Sequence, residues 1–148
     1  MRENYSGSII FKNEWKLAIV LEEEINLSIG EGRTEVFLEG EKIGIGYLVK
    51  ITGGEVHIGA VALGSFHKKS GRAYSSVMTL PGHKDDRIAK ESAEIIAREL
   101  RTDAVVVTGI HIDNITETEI KEIIKNSRKI VSRFINKTRS PPSHPRCL

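Results

Sequence analysis

Residues 105–120 read VVVTGIHIDNITETEI, a run that begins as a strand and ends as a helix. The β-branched, apolar start is typical of a buried strand, and it predicts a strand over residues 104–112. Thr116 and Glu119 form the pattern of a capping box, which marks the first turn of a helix. Apolar residues recur after it at helical spacing as far as Ile135, so a helix is predicted directly after the strand.

A second helix is predicted upstream of this strand, from about His83 to Arg101. A Pro-Gly pair ends the preceding strand pattern, and apolar residues then recur at helical spacing. Asp85 and Asp86 lie in the expected first turn, where the helix dipole favours acidic side chains.

Gly53 and Gly54 separate two further strand patterns. A Gly-Gly pair between strands is typical of a two-residue hairpin turn, because both residues need positive φ. The pair therefore predicts that the two strands are neighbours, with Lys50 opposite His57. His57 then lies beside Gly59 on a mixed face. The opposite face is predicted to belong to the core, and it comprises Ile45, Tyr47, Val49, Ile51, Val56, Ile58, Ala60 and Ala62.

The order of elements, strands followed by helix, strand and helix, indicates an α+β fold. We expect a mostly antiparallel sheet of about six strands with two C-terminal helices packed on it. Residues 1–32 are predicted to be an N-terminal strand extension, and residues 33–137 the α+β domain. Residues 138–148 contain three of the four prolines and are predicted to be a disordered tail.

Composition excludes some classes of function. The chain has 148 residues, a net charge of +2 and only 5% aromatic residues, so we expect no nucleic-acid partner. It has no apolar run long enough to cross a bilayer and no signal-peptide pattern, so we expect no membrane partner. Cys147 is the only cysteine, which fits a cytoplasmic protein without disulfides.

Three histidines near the ends of predicted elements, His57, His83 and His111, are candidates for one shared site. Each has a glycine within two residues, and glycine lets a ligand approach the backbone. Each one taken alone is as well explained as a satisfied structural histidine. The start of the second predicted helix, with Lys84 beside it, offers N–H groups and a positive charge to a phosphate or carboxylate.

A metal site is an alternative use of the same three histidines. Three imidazoles suit zinc, and Asp85 or Asp113 would then accept hydrogen bonds from the ligating rings. The ligands would come from three separated segments, so their spacing in the sequence is not diagnostic. A small enzyme that uses these histidines as general acid or base is a related alternative.

Three motifs together resemble the LpdD-like prenylated-flavin chaperones, the small D subunits of UbiD-type phenolic-acid decarboxylases. The motifs are GGEVHIGAV, LPGHKDD and VVTGIHIDNITETEI, and the resemblance covers residues 33–137. It implies a fold like that of the proteasome-assembly chaperones, a homodimer, and a UbiD-type decarboxylase subunit as partner. It also implies that the chain handles or delivers prenylated FMN or FMN.

The resemblance also supplies a set of expected cofactor-binding residues. Thr116 matches the family pattern too, but its role as a helix cap explains it. The expected function is a non-catalytic accessory protein, with no catalytic residues. A proteasome-assembly-type chaperone and the histidine-dependent enzyme remain the alternatives. The expected cofactor-binding residues are His57, Gly59, His83, Lys84, Asp85, Gly109, His111 and Asn114.

Overall fold

The computed structural model describes residues 8–13, 16–21, 24–82 and 84–140. Of the tail predicted at residues 138–148, residues 138 and 139 belong to the last helix, and residues 141–148 lie outside the described range. The chain forms eight strands, two α-helices and a 3₁₀ turn at Gly32–Thr34 within it. The elements are β1 (Ser8–Asn13), β2 (Lys16–Leu21), β3 (Ile25–Ile29), β4 (Val36–Ile43), β5 (Gly46–Gly54), β6 (Ala60–His67), β7 (Arg72–Thr79), α1 (Asp86–Leu100), β8 (Ala104–His111) and α2 (Glu117–Arg139).

Six of the strands form one sheet in the order β3-β4-β5-β8-β6-β7. The β5–β8 pair is parallel, and every other pair in this sheet is antiparallel. β1 and β2 pair with each other as a separate two-stranded antiparallel sheet. The predicted α+β class, with a mostly antiparallel six-stranded sheet and two helices, is confirmed.

Both helices pack on the same face of the sheet. α1 lies against β6, β7 and β8, and α2 lies against β3 and β4. Burial along the strands alternates with period two, because successive side chains point to opposite faces. Phe134 of α2 is fully buried, with its ring above Gly40 and at 5.7 Å, edge-on, from the ring of Tyr47.

The predicted hairpin at Gly53 and Gly54 is wrong. β8 lies between β5 and β6, so Lys50 pairs with Glu39 on one side and Val107 on the other, and not with His57. The glycines are required for close packing instead. A Cβ on Gly53 would lie 2.9 Å from a carbonyl oxygen of the chain leading into β4, and one on Gly54 would lie 2.1 Å from the oxygen that ends β8.

The predicted core face of these strands is only partly correct. Four of its members, Val49, Ile51, Ala60 and Ala62, are buried, and Tyr47 packs against the core. The remaining three lie in the connections that flank β5 and β6, where strand alternation no longer applies. These three are exposed, at 80%, 64% and 61%: Ile45, Val56 and Ile58.

The ends of the two helices can be compared with the ends predicted from the sequence. α1 starts at Asp86, three residues later than predicted, and ends at a left-handed Arg101. α2 starts after Thr116, whose hydroxyl accepts the Glu119 N–H at 3.2 Å, so the predicted capping box is confirmed. Neither of these described helices combines the length and the apolar character that a membrane span requires.

Candidate functional site

The five-residue connection from β5 to β6 crosses the end of β8. It has to, because β8 separates the two strands that the connection joins. The Glu55 N–H donates to the His111 carbonyl at 2.9 Å, and the Gly59 N–H donates to the Thr108 carbonyl at 2.8 Å. Residues 55–59, the crossover segment, are therefore fixed to β8 at both ends, with His57 between the two bonds.

Gly109 explains how the crossover segment can lie so close to β8. A Cβ at this position would be 1.6 Å from the His57 carbonyl oxygen, far inside any real contact distance. The space beside Gly109 is therefore filled by the protein's own backbone. The expectation that this glycine opens room for a ligand ring does not hold, and its role is to let the crossover segment pass.

Asp85 is a buried carboxylate beside the crossover segment. It is 5% exposed and immediately precedes α1. Its Oδ1 accepts the Ile110 N–H at 3.1 Å, and its Oδ2 lies 3.5 Å from His57 Nε2. A Cβ on Gly59 would be 2.0 Å from that same Oδ2, so Gly59 leaves room for the carboxylate rather than for a ligand.

The His57 ring lies between two oxygen acceptors. Its Nδ1 is 3.1 Å from the Glu55 carbonyl oxygen, and its Nε2 faces the Asp85 carboxylate. Both nitrogens of the ring thus lie near an oxygen of the protein, and the His57 side chain is still 21% exposed.

His111 completes the group of polar side chains at this end of the sheet. Its ring centroid is 6.0 Å from that of His57, and the two rings are nearly perpendicular, at 84°. His111 Nε2 lies 3.1 Å from Asp113 Oδ1, and the His111 side chain is 49% exposed. Two of the three histidines proposed from the sequence therefore meet, and the more exposed one faces solvent.

Arg33 fixes the turn that follows His111. Its guanidinium donates to the Asp113 carbonyl oxygen at 2.8 Å and lies 2.9 Å from Glu119 Oε1. Asn114 adopts a left-handed conformation in this turn, with φ 51°, which Asn tolerates better than most residues. No sequence signal pointed to Arg33, because 80 residues separate it from Asp113.

The structure brings five of the eight expected cofactor-binding residues together at the end of β8: His57, Gly59, Asp85, Gly109 and His111. Lys84 is exposed and adjoins Asp85 in the chain, and Asn114 lies in the turn after His111. His83 lies outside the described residues. The helix that was expected to begin at residue 83 begins at Asp86 instead. Asp85, the residue before it, accepts a hydrogen bond from the Ile110 N–H with its carboxylate.

This cluster offers imidazole groups to a ligand, and the exposed Lys84 adjoins it in the chain through Asp85. Imidazole nitrogens can donate to, or accept from, the oxygens and nitrogens of a heterocycle, and an ammonium group binds phosphate. Within the part of the chain that the structure describes, no three His, Cys, Asp or Glu side chains are grouped so as to hold a metal ion.

A family model described as the prenylated flavin chaperone LpdD-like domain matches residues 30–139. The chain belongs to this family. The match contains β4 to β8, both helices and every candidate site residue of this LpdD-like chain. It agrees with the resemblance found from the three sequence motifs. Comparison with curated proteins finds no match.

Among solved structures, the LpdD-like chain is similar to one from the crystal structure of a chaperone complex for yeast 20S proteasome assembly. The TM-score is 0.55 at 14% sequence identity, over 81% of this chain and 97% of that chain. This likeness confirms the expected proteasome-assembly-chaperone-like fold. At such low identity it shows the fold alone.

Proposed function

We propose that this protein is a non-catalytic accessory chaperone that binds prenylated FMN, or FMN itself, at the end of β8. The observation that carries the proposal is that His57, Asp85 and His111 converge inside the region matched by the prenylated-flavin-chaperone family. These three residues come from three separate segments of the chain.

The donor set suits a flavin nucleotide. His111 is half exposed and presents an imidazole to the ring system, while His57 is held in place by Asp85. Lys84 is exposed next to Asp85 and supplies the positive charge that a phosphate requires. Gly59 and Gly109 contribute indirectly, because they allow the crossover segment and Asp85 to take these positions. His83, close to Lys84 in the chain, is part of the proposed set on sequence grounds.

Binding is tested by titrating the protein with prenylated FMN and, separately, with FMN, followed by isothermal calorimetry. Saturable binding is expected. His111→Ala is expected to weaken it by about tenfold, equivalent to about 1.4 kcal/mol. His67→Ala is the matched control, because His67 bonds to Ser70 in the β6–β7 turn and is not part of the cluster. No saturable binding of either flavin would contradict the proposal.

The partner we propose is the UbiD-type decarboxylase that uses the flavin, and the protein itself is proposed to act as a homodimer. Co-expression with a UbiD-type decarboxylase tests this, with the flavin content of the purified decarboxylase as the readout. The content is expected to fall when the accessory protein is omitted, and unchanged content would contradict the role.

The histidine-dependent enzyme is distinguished by metal analysis of protein purified without chelators. Stoichiometric zinc or iron would favour that alternative, since imidazoles are good ligands for both. Metal-free protein that still binds the flavin would favour the accessory role.

A further inference from the structure

β7 is a long edge strand that lacks the features that usually protect such strands from pairing with another chain. It is eight residues long, and β6 is its only strand neighbour in the described part of the chain. Natural edge strands are usually protected by charges, prolines, bulges or short length. β7 reads RAYSSVMT, with Arg72 as its only charge and no proline, whereas β3 at the opposite edge has only five residues.

The backbone groups that point away from the sheet can be assigned. The Leu80 N–H donates to the Gly59 carbonyl at 2.9 Å, so residue 80 directs its backbone toward β6. The backbone N–H and C=O groups of successive residues point alternately to the two sides of a strand. Even-numbered residues of β7 therefore bond to β6, and odd-numbered residues from Ala73 to Thr79 point their N–H and C=O groups outward.

The side chains of β7 divide between the two faces of the sheet. The Ser75 hydroxyl donates to Glu94 of α1 at 2.9 Å, which places Ser75 on the helix-covered face. Tyr74 and Met78 lie on the opposite face and are 55% and 81% exposed. Their neighbours on β6, Val61 and Leu63, are also exposed there, so an apolar strip runs along this edge.

We propose that β7 pairs with β7 of a second copy of this chain, antiparallel, about a two-fold axis at Ser76. This pairing joins the two six-stranded sheets edge to edge. Ser76 then faces the partner's Ser76, and Tyr74 faces the partner's Met78. The contact places an aromatic ring against a thioether, a favourable combination that occurs twice by symmetry.

The alternation of the strand selects this register. Outward-pointing residues must face one another, so the axis can pass through a residue but not between two residues. An axis at Ser75 would place Arg72 against the partner's Met78 and leave Thr79 without a partner. An axis at Ser76 keeps every outward residue from Ala73 to Thr79 paired. It also covers Met78, the most exposed large apolar residue described in the chain.

The edge pairing specifies the homodimer proposed above and rests on that part of the proposed function. It does not depend on the flavin, because β7 and the His57–His111 cluster involve different residues. A protein that dimerises but does not bind flavin would contradict the flavin site and not the edge pairing. A protein that binds flavin but stays monomeric would contradict the edge pairing and not the flavin site.

A disulfide across the axis tests the register. Ser76 and the partner's Ser76 would form a non-hydrogen-bonded pair with Cα atoms about 4.5 Å apart, a separation that a disulfide can span. Ser76→Cys is made with Cys147→Ser and oxidised mildly. Ser65→Cys is the control on the same face of β6. Ser65 lies opposite Tyr74, two residues from the axis, so its two copies would be three strand spacings apart across the sheet and four residues apart along it, about 20 Å in all.

Crosslinked dimer is expected for Ser76→Cys and not for Ser65→Cys on a non-reducing gel. Absence of crosslinking at Ser76, or equal crosslinking of the control, would overturn the register. Light scattering adds a second measurement, because Ser76→Lys places two positive charges together on the axis. The dimer dissociation constant is expected to rise by at least about tenfold, with Ser65→Lys unchanged. A monomeric wild-type protein, or an unchanged Ser76→Lys dimer, would overturn the inference.

Discussion

Replacing Gly109 with alanine is the sharpest test of how the site is built. The new Cβ would lie 1.6 Å from the His57 carbonyl oxygen, so the crossover segment must move away by more than an ångström. The segment's two hydrogen bonds to β8, at 2.9 and 2.8 Å, would not survive such a shift. Each is worth about 1 kcal/mol, and overpacking adds about 1–3 kcal/mol.

The expected loss in the free energy of unfolding is therefore about 3–5 kcal/mol, which lowers Tm by about 10–16 °C in a domain of this size. Urea denaturation and calorimetry measure the two quantities. Gly71→Ala is the matched control, because Gly71 has φ +68° and open space around its Cβ position. Its cost is backbone strain alone, about 1 kcal/mol. A Gly109→Ala variant no less stable than Gly71→Ala would refute the crossing described here.

Three further outcomes follow from the contacts. Asp85→Ala removes the acceptor of the part-buried Ile110 N–H and is expected to cost about 1–3 kcal/mol by urea denaturation. Asp85→Asn retains an acceptor and costs less, so equal losses would contradict this. Thr116→Ala removes the α2 cap and is expected to cost about 1 kcal/mol, and an unchanged Tm would count against the cap. The pKa of Glu119 is lowered mainly by the Thr116 backbone N–H, and the pKa of Glu99 is lowered mainly by hydrogen bonds from Arg139 and Arg98. The stability that these two carboxylates contribute is therefore present above the unfolded-state pKa of 4.5, and it is lost as the pH falls through the folded-state pKa. Urea midpoints that rise on acidification below about pH 4.5 would contradict this sign.

The elements that depend on local chemistry were predictable from the sequence. The capping box placed the start of α2, and β-branched residues placed β8, because both signals act over a few neighbouring residues. The order of the strands was not predictable in this way. The insertion of β8 between β5 and β6 depends on contacts about 50 residues apart, such as that of Ala60 with Thr108.

In the site, too, the residues could be predicted from local patterns, but their long-range contacts could not. His57 and His111 were recognised as candidates, and the structure brings their rings to 6.0 Å. The neighbouring glycines, Gly59 and Gly109, were recognised as well, but they were expected to make room for a ligand, whereas they make room for Asp85 and the crossover segment. Whether a glycine faces a ligand or another part of the backbone depends on the path of the crossover segment, which no local pattern encodes. Arg33 was missed for the same reason, since its contacts to Asp113 and Glu119 are all long-range.

Imidazole ¹H–¹⁵N spectra recorded during titration with prenylated FMN give the most direct test of the flavin site. His57 and His111 belong to the cluster, and His67 in the β6–β7 turn serves as a reference within the same molecule. Assignments come from single His→Gln variants. Saturable shifts of the His57 and His111 resonances, with His67 unmoved, are predicted. Saturation of the protein with flavin while both cluster resonances stay in place would contradict a flavin site at the end of β8.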